Sequence, residues 1–175
     1  MSRRAIFWAS LIGIMATIPL FQTISVAANI PKIDRTVKVS DLAQSNKTKP
    51  DKYLASAVQN YRQGNYQDAV VDLNRAVKIK PDYAIAYDLR GLIKYQNLRD
   101  FPGALADFDR ALNLDPQLAT SCYNRGLLKY RNLNDKPGGI ADMKAAAKLF
   151  QSRGENESFQ DAVGFLKKWG VTGSI

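Results

Sequence analysis

Three aspartates recur at equal spacing in this chain and are the first residues to test for chemistry. Asp72, Asp107 and Asp142 follow one another at intervals of 35 residues. Carboxylates that face one another can share general acid and base work. Equal spacing indicates instead one carboxylate per structural repeat, so that neighbouring aspartates lie roughly a repeat width apart. The sequence therefore favours a structural role for these aspartates over a catalytic one.

The expected partners of these aspartates are arginines, and two sets of pairs are compatible with the sequence. In the first set, each aspartate pairs with the arginine three residues later on the same helix, as in Asp72–Arg75 and Asp107–Arg110. Such pairs stabilise a helix by about 0.2–0.5 kcal/mol. In the second set, each aspartate pairs with an arginine at the start of the following repeat, as in Asp72–Arg90 and Asp107–Arg125. Both sets remain open at this point.

Other reactive side chains are scarce. The chain has no histidine and a single cysteine, Cys122. A serine–histidine–acid triad and a histidine metal site are therefore excluded, and one cysteine cannot form an internal disulfide bond. There is no glycine-rich phosphate-binding loop either. The sequence predicts no enzyme activity, no cofactor and no metal site, and Cys122 is expected to pack as a small apolar side chain.

The elements that must hold the aspartates are pairs of helices. Within each interval, two apolar-periodic segments of helical length flank a short turn, such as Gln63-Gly64-Asn65. Pro102 and Pro137 suit the first turn of a second helix, where no amide hydrogen is needed. Small residues recur at three fixed places in each unit and allow one helix to lie close to another: Ala57, Ala69 and Ala76; Gly91, Ala104 and Ala111; Gly126, Gly139 and Ala146.

This pattern resembles the tetratricopeptide repeat (TPR), and the residues shared by the second and third units are similar to repeats common in cyanobacterial chains. The resemblance implies an all-α fold, an α-solenoid of three TPR helix pairs plus a C-terminal capping helix. The TPR domain is predicted over 51–175, with repeats over 50–83, 84–117 and 118–151 and a capping helix over 157–169. The helix pairs are expected at about 51–63 with 67–79, 84–98 with 102–114, and 118–133 with 137–150.

In the TPR family the first helices of the stacked units line a concave groove that binds peptides or protein segments, so the resemblance implies a partner-binding surface here. By the family's pattern, the groove positions recur at the same four places in each first helix: Leu54, Val58, Tyr61 and Arg62; Asp88, Leu92, Tyr95 and Gln96; Tyr123, Leu127, Tyr130 and Arg131. The three tyrosines that form a row offer large apolar area plus a hydroxyl, as interface residues do. The alternative is that these tyrosines pack between helices. A clamp for the C-terminal carboxylate of chaperones, known in one TPR subclass, is not expected, because apolar residues occupy most of its positions.

Residues 1–28 have the features of an export signal. Arg3 and Arg4 precede an apolar run from Ala5 to Phe21, and small residues up to Ala28 suit a signal peptidase. An uncleaved membrane anchor is the alternative, because the run approaches the length of a membrane-spanning helix. The polar residues 29–50 are predicted to form a flexible linker. The expected location is therefore outside the cytoplasm, in a periplasm or a thylakoid lumen, or else at a membrane.

The net charge of +9 comes from basic residues scattered along the chain, without a basic stripe interleaved with aromatic residues. No nucleic-acid partner is expected on this ground. The sequence predicts a non-enzymatic protein–protein interaction scaffold, an exported TPR adaptor that assists the assembly of an envelope or thylakoid complex. The alternative is a membrane-tethered structural accessory with a basic surface that faces lipid and with membrane association through its N-terminal segment.

Overall fold

The computed structural model describes residues 49–172, which form helices and connecting turns without a strand. The helices are α1 (Lys49–Arg62), α2 (Tyr66–Ile79), α3 (Ala84–Ile93, continued by the π-helical turn Lys94–Leu98), α4 (Phe101–Leu114), α5 (Ala119–Asn132), α6 (Lys136–Ser152) and α7 (Asn156–Lys168). Each bound lies within two residues of the one expected. The all-α prediction is confirmed.

The predictions for residues 1–28 and for most of the linker lie outside the described residues. The last two residues of the predicted linker are an exception, because Lys49 and Pro50 already belong to α1 and Pro50 is buried. Proline suits a first helical turn because its missing amide hydrogen would have no partner there. The linker prediction therefore ends two residues too late.

The helices stack in the order of the sequence. Each helix packs on the next one along the chain, and α3 also contacts α5 directly. Buried residues of α1, α2 and α3 share one apolar cluster, which includes Leu54, Leu73 and Leu89. A second cluster joins α4, α5, α6 and α7 and contains Phe150 and Leu166. The odd-numbered helices thus adjoin one another in one layer, and the even-numbered helices α2, α4 and α6 lie outside them.

The crossing of α5 and α6 depends on two glycines. A β-carbon at Gly139 would lie 2.8 Å from the carbonyl oxygen of Gly126 and 2.8 Å from the backbone nitrogen of Tyr130. Real β-carbons essentially never come so close to backbone atoms, so only glycine fits there without moving a helix. The expectation that the small residues of each repeat let two helices approach closely is met most tightly at this crossing.

The turn between the two helices of a repeat differs between the first unit and the others. Gly64 ends the first turn with a φ of 82°, a left-handed conformation that suits glycine. Units two and three have one extra residue at this place, and their turns contain Arg99 and Asn134, both with a φ of 55°. The extra residue in unit two is accommodated by the π-helical turn. The second turn therefore carries an arginine at its left-handed position, where the first turn has a glycine.

The recurring aspartates are buried and hold the two helices of each repeat together. Arg90 donates to both carboxylate oxygens of Asp107, and Lys94 Nζ lies 2.8 Å from Asp107 Oδ2. Asp142 receives the same pair of cations one repeat later, from Arg125 and Lys129: the Arg125 Nε–Asp142 Oδ2 distance is 2.8 Å, and the Lys129 Nζ–Asp142 Oδ2 distance is 3.0 Å. Asp107 and Asp142 are each engaged with two cations of their own repeat, whereas Asp72 accepts hydrogen bonds from Ser56, Asn60 and Arg75, so all three carboxylates are structural.

This arrangement corrects part of the pairing expected from sequence. Asp72 does pair with Arg75, at 3.0 Å. Asp107 is bound by Arg90 and Lys94 and not by Arg110, whose guanidinium donates to the carbonyl oxygen of Pro81. The connections between repeats use other acceptors, Asn74 for Arg90 and Asp109 for Arg125. The expected pairs Asp107–Arg110, Asp72–Arg90 and Asp107–Arg125 are therefore wrong, because each first-helix arginine crosses to the aspartate on the second helix of its own repeat.

Candidate functional site

The structure divides the twelve predicted groove residues into buried and accessible ones. Leu54, Val58, Leu92 and Leu127 retain 7% exposure or less. Their assignment to an accessible groove surface needs correction, because each of them packs into an apolar cluster that joins neighbouring helices. Leu127 remains at the floor of a pocket described below. Arg62, Gln96 and Arg131 are exposed, and the remaining predicted residues are half-buried.

The three tyrosines of the predicted row each lie against an aromatic ring. The ring of Tyr61 lies 5.7 Å from that of Tyr66, and the ring of Tyr95 lies 6.2 Å from that of Phe101. Tyr130 stacks on Trp169 at 3.9 Å with nearly parallel planes. Burial raises the pKa of the Tyr61 hydroxyl to about 12. The tyrosines therefore combine packing with partial exposure.

Asp88 is the acidic member of the predicted set, and it joins α3 to α5. Ser121 Oγ donates to Asp88 Oδ1 at 2.5 Å, and Thr120 Oγ1 donates to Asp88 Oδ2 at 3.0 Å. Burial raises the pKa of the Asp88 carboxyl above its ordinary range, and the two hydroxyl donors offset part of that rise. Its oxygens are taken up by these contacts, so Asp88 serves the packing of two first helices.

Four of the predicted residues meet around one pocket between the end of α3 and the end of α5. Tyr95, Gln96, Leu127 and Arg131 line it together with three residues that the sequence analysis did not assign, Arg99, Phe101 and Asn132. We call this the α3–α5 pocket; its volume is about 410 Å³. Pockets of a few hundred cubic ångströms with an apolar floor and a few polar groups are typical binding sites.

The two arginines of this pocket are held by aromatic rings. The guanidinium of Arg131 lies 4.8 Å from the centre of the Phe165 ring, and its positive charge opposes the rise that burial causes in the pKa of the Tyr95 hydroxyl. The guanidinium of Arg99 lies 5.8 Å from the centre of the Phe101 ring. Cation–π contacts of this kind stabilise a charge at the protein surface while its hydrogen-bond donors remain available. The pocket thus presents two positioned cations.

Helix α7 covers the end of the predicted groove in the third repeat. Phe165 lies edge-on to Tyr123 at 6.0 Å, and Trp169 covers Tyr130. Burial raises the pKa of the Tyr123 hydroxyl to about 12, and the charge of Asp161 adds to the rise. The capping helix therefore takes up much of the aromatic surface that the sequence assigned to a partner in unit three.

The three missed residues lie in or just beyond the inter-helix turns. The sequence signal for Arg99 was the extra turn residue, which places this side chain in a left-handed conformation at the pocket rim. Phe101 packs against the apolar cluster of Leu92 and Phe108 and also forms part of the pocket wall. Nothing in the spacing marks Asn132, which lines the pocket only because α5 packs beside α3.

Residues 49–172 were also compared with what a metal site, a membrane span and a reactive thiol require. No group of three or more cysteine, aspartate or glutamate side chains in this range is placed to hold a metal ion. None of the helices described combines the length and the apolar composition that crossing a bilayer requires. Burial raises the pKa of the Cys122 thiol to about 11, so this cysteine is a protonated packing residue at neutral pH.

Comparisons with known proteins agree with this architecture. Residues 57–97 match a family model described as TPR repeat. A comparison with curated protein sequences finds no match. Among solved structures, the TPR2B domain of yeast Sti1 in complex with pHsp70 is similar, with a TM-score of 0.64 and 17% identity, over 70% of this chain and 96% of that domain. The Yersinia enterocolitica type III secretion translocator chaperone SycD has a TM-score of 0.64 and 12% identity, over 70% of this chain and 92% of that one.

A type III secretion complex from Aeromonas hydrophila is similar over more of the chain. Its TM-score is 0.66 at 14% identity, over 83% of this chain and 95% of the other. At such identities the likeness concerns the fold alone. Together with the matched residues, it shows that the described part of this chain is an α-solenoid of TPR-type helix pairs.

Proposed function

We propose that residues 49–172 form a non-enzymatic interaction module that binds a protein or peptide segment along α1, α3 and α5. The observation that carries this proposal is the α3–α5 pocket, where an apolar floor, two amides and two positioned arginines come together. Residues that only packed the solenoid would be buried, whereas Gln96 and Arg131 are exposed beside the half-buried Tyr95. This combination of aromatic anchor and polar rim is typical of protein interfaces.

The accessible surface continues beyond the pocket along α3. Ile85 is 40% exposed, although it is a large apolar side chain. It lies three residues before Asp88 and seven before Leu92, on the same face of the helix. An exposed apolar residue at the start of α3 suits a segment that extends along this helix from the pocket at its other end. Structures with this fold include the Sti1 domain in complex with pHsp70, which shows that such a solenoid can hold a protein partner.

The experiment that tests this proposal locates the partner on the surface. A photo-crosslinking amino acid is placed at Gln96, which is exposed on the odd-numbered layer, or at Val71, which is exposed on α2 in the outer layer. Each protein is produced in its native cells and irradiated. We expect a defined crosslinked product from Gln96, lost when Tyr95 is replaced with alanine, and none from Val71. A product from Val71 alone would overturn the proposal.

We further propose that the module is an exported adaptor for the assembly of an envelope or thylakoid complex. The support is the N-terminal sequence, in which two arginines precede an apolar run and a small-residue stretch. N-terminal sequencing of the protein from its native cells tests this, together with cell fractionation. A mature start at Ala28 or Asn29 in a soluble fraction outside the cytoplasm is expected. A retained Met1 in the membrane fraction would favour a membrane-tethered accessory instead.

A further inference from the structure

We propose that the α3–α5 pocket is a carboxylate subsite, in which Arg99 and Arg131 receive an aspartate or glutamate side chain of an acidic peptide segment. This inference rests on the proposed function, because it specifies the partner of the same surface.

The first argument for a carboxylate ligand is the positive charge of the pocket. Its seven lining residues include two arginines and no acidic residue. The ion pairs described for the repeats use Arg75, Arg90, Lys94, Arg125 and Lys129, and neither pocket arginine takes part in them. The guanidinium groups therefore retain donors, and a carboxylate is the acceptor whose planar geometry matches them.

The second step concerns the fixed position of the two cations. Arg131 lies over the Phe165 ring, and Arg99 lies over the Phe101 ring. A long side chain normally loses rotational freedom when it binds a ligand, and that loss weakens the complex. Because both side chains already lie on aromatic rings, less freedom remains to be lost when a carboxylate arrives.

The third step is the unusual turn that carries Arg99. This residue has a φ of 55°, in the left-handed region that non-glycine residues adopt infrequently. The preceding π-helical turn also leaves Asn97 Oδ1 buried without a hydrogen-bond partner within the described part of the chain. The corresponding left-handed residues of units one and three are Gly64 and Asn134, which are uncharged. Of these three turns, the second therefore presents a cation at its left-handed position, at the rim of the pocket.

The remaining lining favours a peptide over a free anion. Leu127 and Phe101 provide apolar wall, and Gln96 and Asn132 provide amides that can bond to a peptide backbone. The pocket volume of about 410 Å³ exceeds the needs of a single carboxylate group. A peptide with an acidic residue next to an apolar or aromatic one would fill the pocket, because the carboxylate can meet the arginines while the neighbouring side chain meets the apolar wall.

The test uses labelled nonapeptides with acetylated and amidated ends, so that no terminal charge contributes. One contains Glu-Phe-Glu between glycine and serine residues, and the matched peptide contains Gln-Phe-Gln. Binding to residues 1–175 and to variants is measured by fluorescence anisotropy at two salt concentrations. We expect the glutamate peptide to bind about tenfold more tightly than the glutamine peptide, with a preference that falls at high salt.

The variants assign that preference to the two arginines. Arg99→Gln and Arg131→Gln are each expected to remove most of it while leaving the glutamine peptide unchanged, and Arg99→Lys is expected to keep part of it. Lys148→Gln removes one exposed positive charge from α6 and is the control for net charge, with no expected effect. Melting curves of all variants confirm folding.

The outcomes separate this inference from the proposed function. Equal binding of both peptides to the wild-type protein overturns the carboxylate subsite and leaves groove binding intact. An equal loss in Lys148→Gln also overturns it, because the effect would then be one of overall charge. Tighter binding of a phosphoserine peptide than of the glutamate peptide would reassign the pocket to a phosphorylated segment. A failure of both peptides to bind up to about 1 mM overturns the subsite, whereas the crosslinking experiment alone decides the proposed function.

Discussion

Replacement of Gly139 with alanine is the sharpest test of how the α5–α6 crossing is built. The added β-carbon would lie 2.8 Å from a backbone oxygen of Gly126 and 2.8 Å from the backbone nitrogen of Tyr130. Overpacking a protein core costs about 1–3 kcal/mol of stability. We expect a cost near the upper end here, because the atoms that the β-carbon would meet belong to the backbone and cannot rotate away. Alanine is more favourable than glycine in a helix by about 1 kcal/mol, which offsets part of this cost. We therefore expect a net loss of about 2 kcal/mol.

A matched control separates the steric effect from the helix preference. Gly164 lies in α7, and a β-carbon there would meet no atom within 4 Å. Gly164→Ala should therefore stabilise the protein by up to about 1 kcal/mol. Thermal unfolding followed by circular dichroism should show a Tm about 8 °C lower for Gly139→Ala and about 4 °C higher for Gly164→Ala. If both variants raised the Tm equally, the close crossing of α5 and α6 would be refuted.

Three further predictions concern buried positions. Ala104→Leu adds volume at a fully buried site and should lower the free energy of unfolding by about 1–3 kcal/mol in a urea titration, whereas unchanged unfolding would contradict the α3–α4 packing. Burial raises the pKa of Asp88 above its ordinary 3.8, so its ionisation costs stability as the pH rises through the folded-state pKa. Asp88→Asn should therefore stabilise at pH 7 and lose that gain near pH 3; a gain that does not vary with pH would refute this. Cys122 is 5% exposed with a raised thiol pKa, so a thiol reagent at pH 8 should modify it only on unfolding, and rapid modification of the folded protein would refute this.

The fold could be predicted from the sequence because several local signals agree. The interval of 35 residues, the small residues at helix crossings and the prolines in first turns all indicate the same helix pairs. Asp100 and Asp135 add a cap that spacing alone does not show, because each accepts a hydrogen bond from the backbone of a glycine three residues on. Helix bounds within two residues of the expected ones follow from this agreement.

The candidate site was harder to predict, because exposure depends on how neighbouring repeats pack. Leu92 and Tyr95 occupy one helical face by spacing, yet Leu92 is buried and Tyr95 is partly accessible. The periodicity of a helix identifies a face but does not say how much of that face the next helix covers. Arg99 was missed for a related reason, since its position depends on the π-helical turn and not on helical spacing.

The placement of α7 has a consequence for how such a chain can change its length. Trp169 lies flat on Tyr130 and so covers the tyrosine that α5 contributes to the predicted row. A repeat appended after Trp169 would therefore have to pack against α7 and could not reach this part of α5. Duplication of an internal unit would instead preserve both ends of the array. Natural or engineered lengthening of this protein should therefore occur between α2 and α5, where the second repeat already has the pattern of the third.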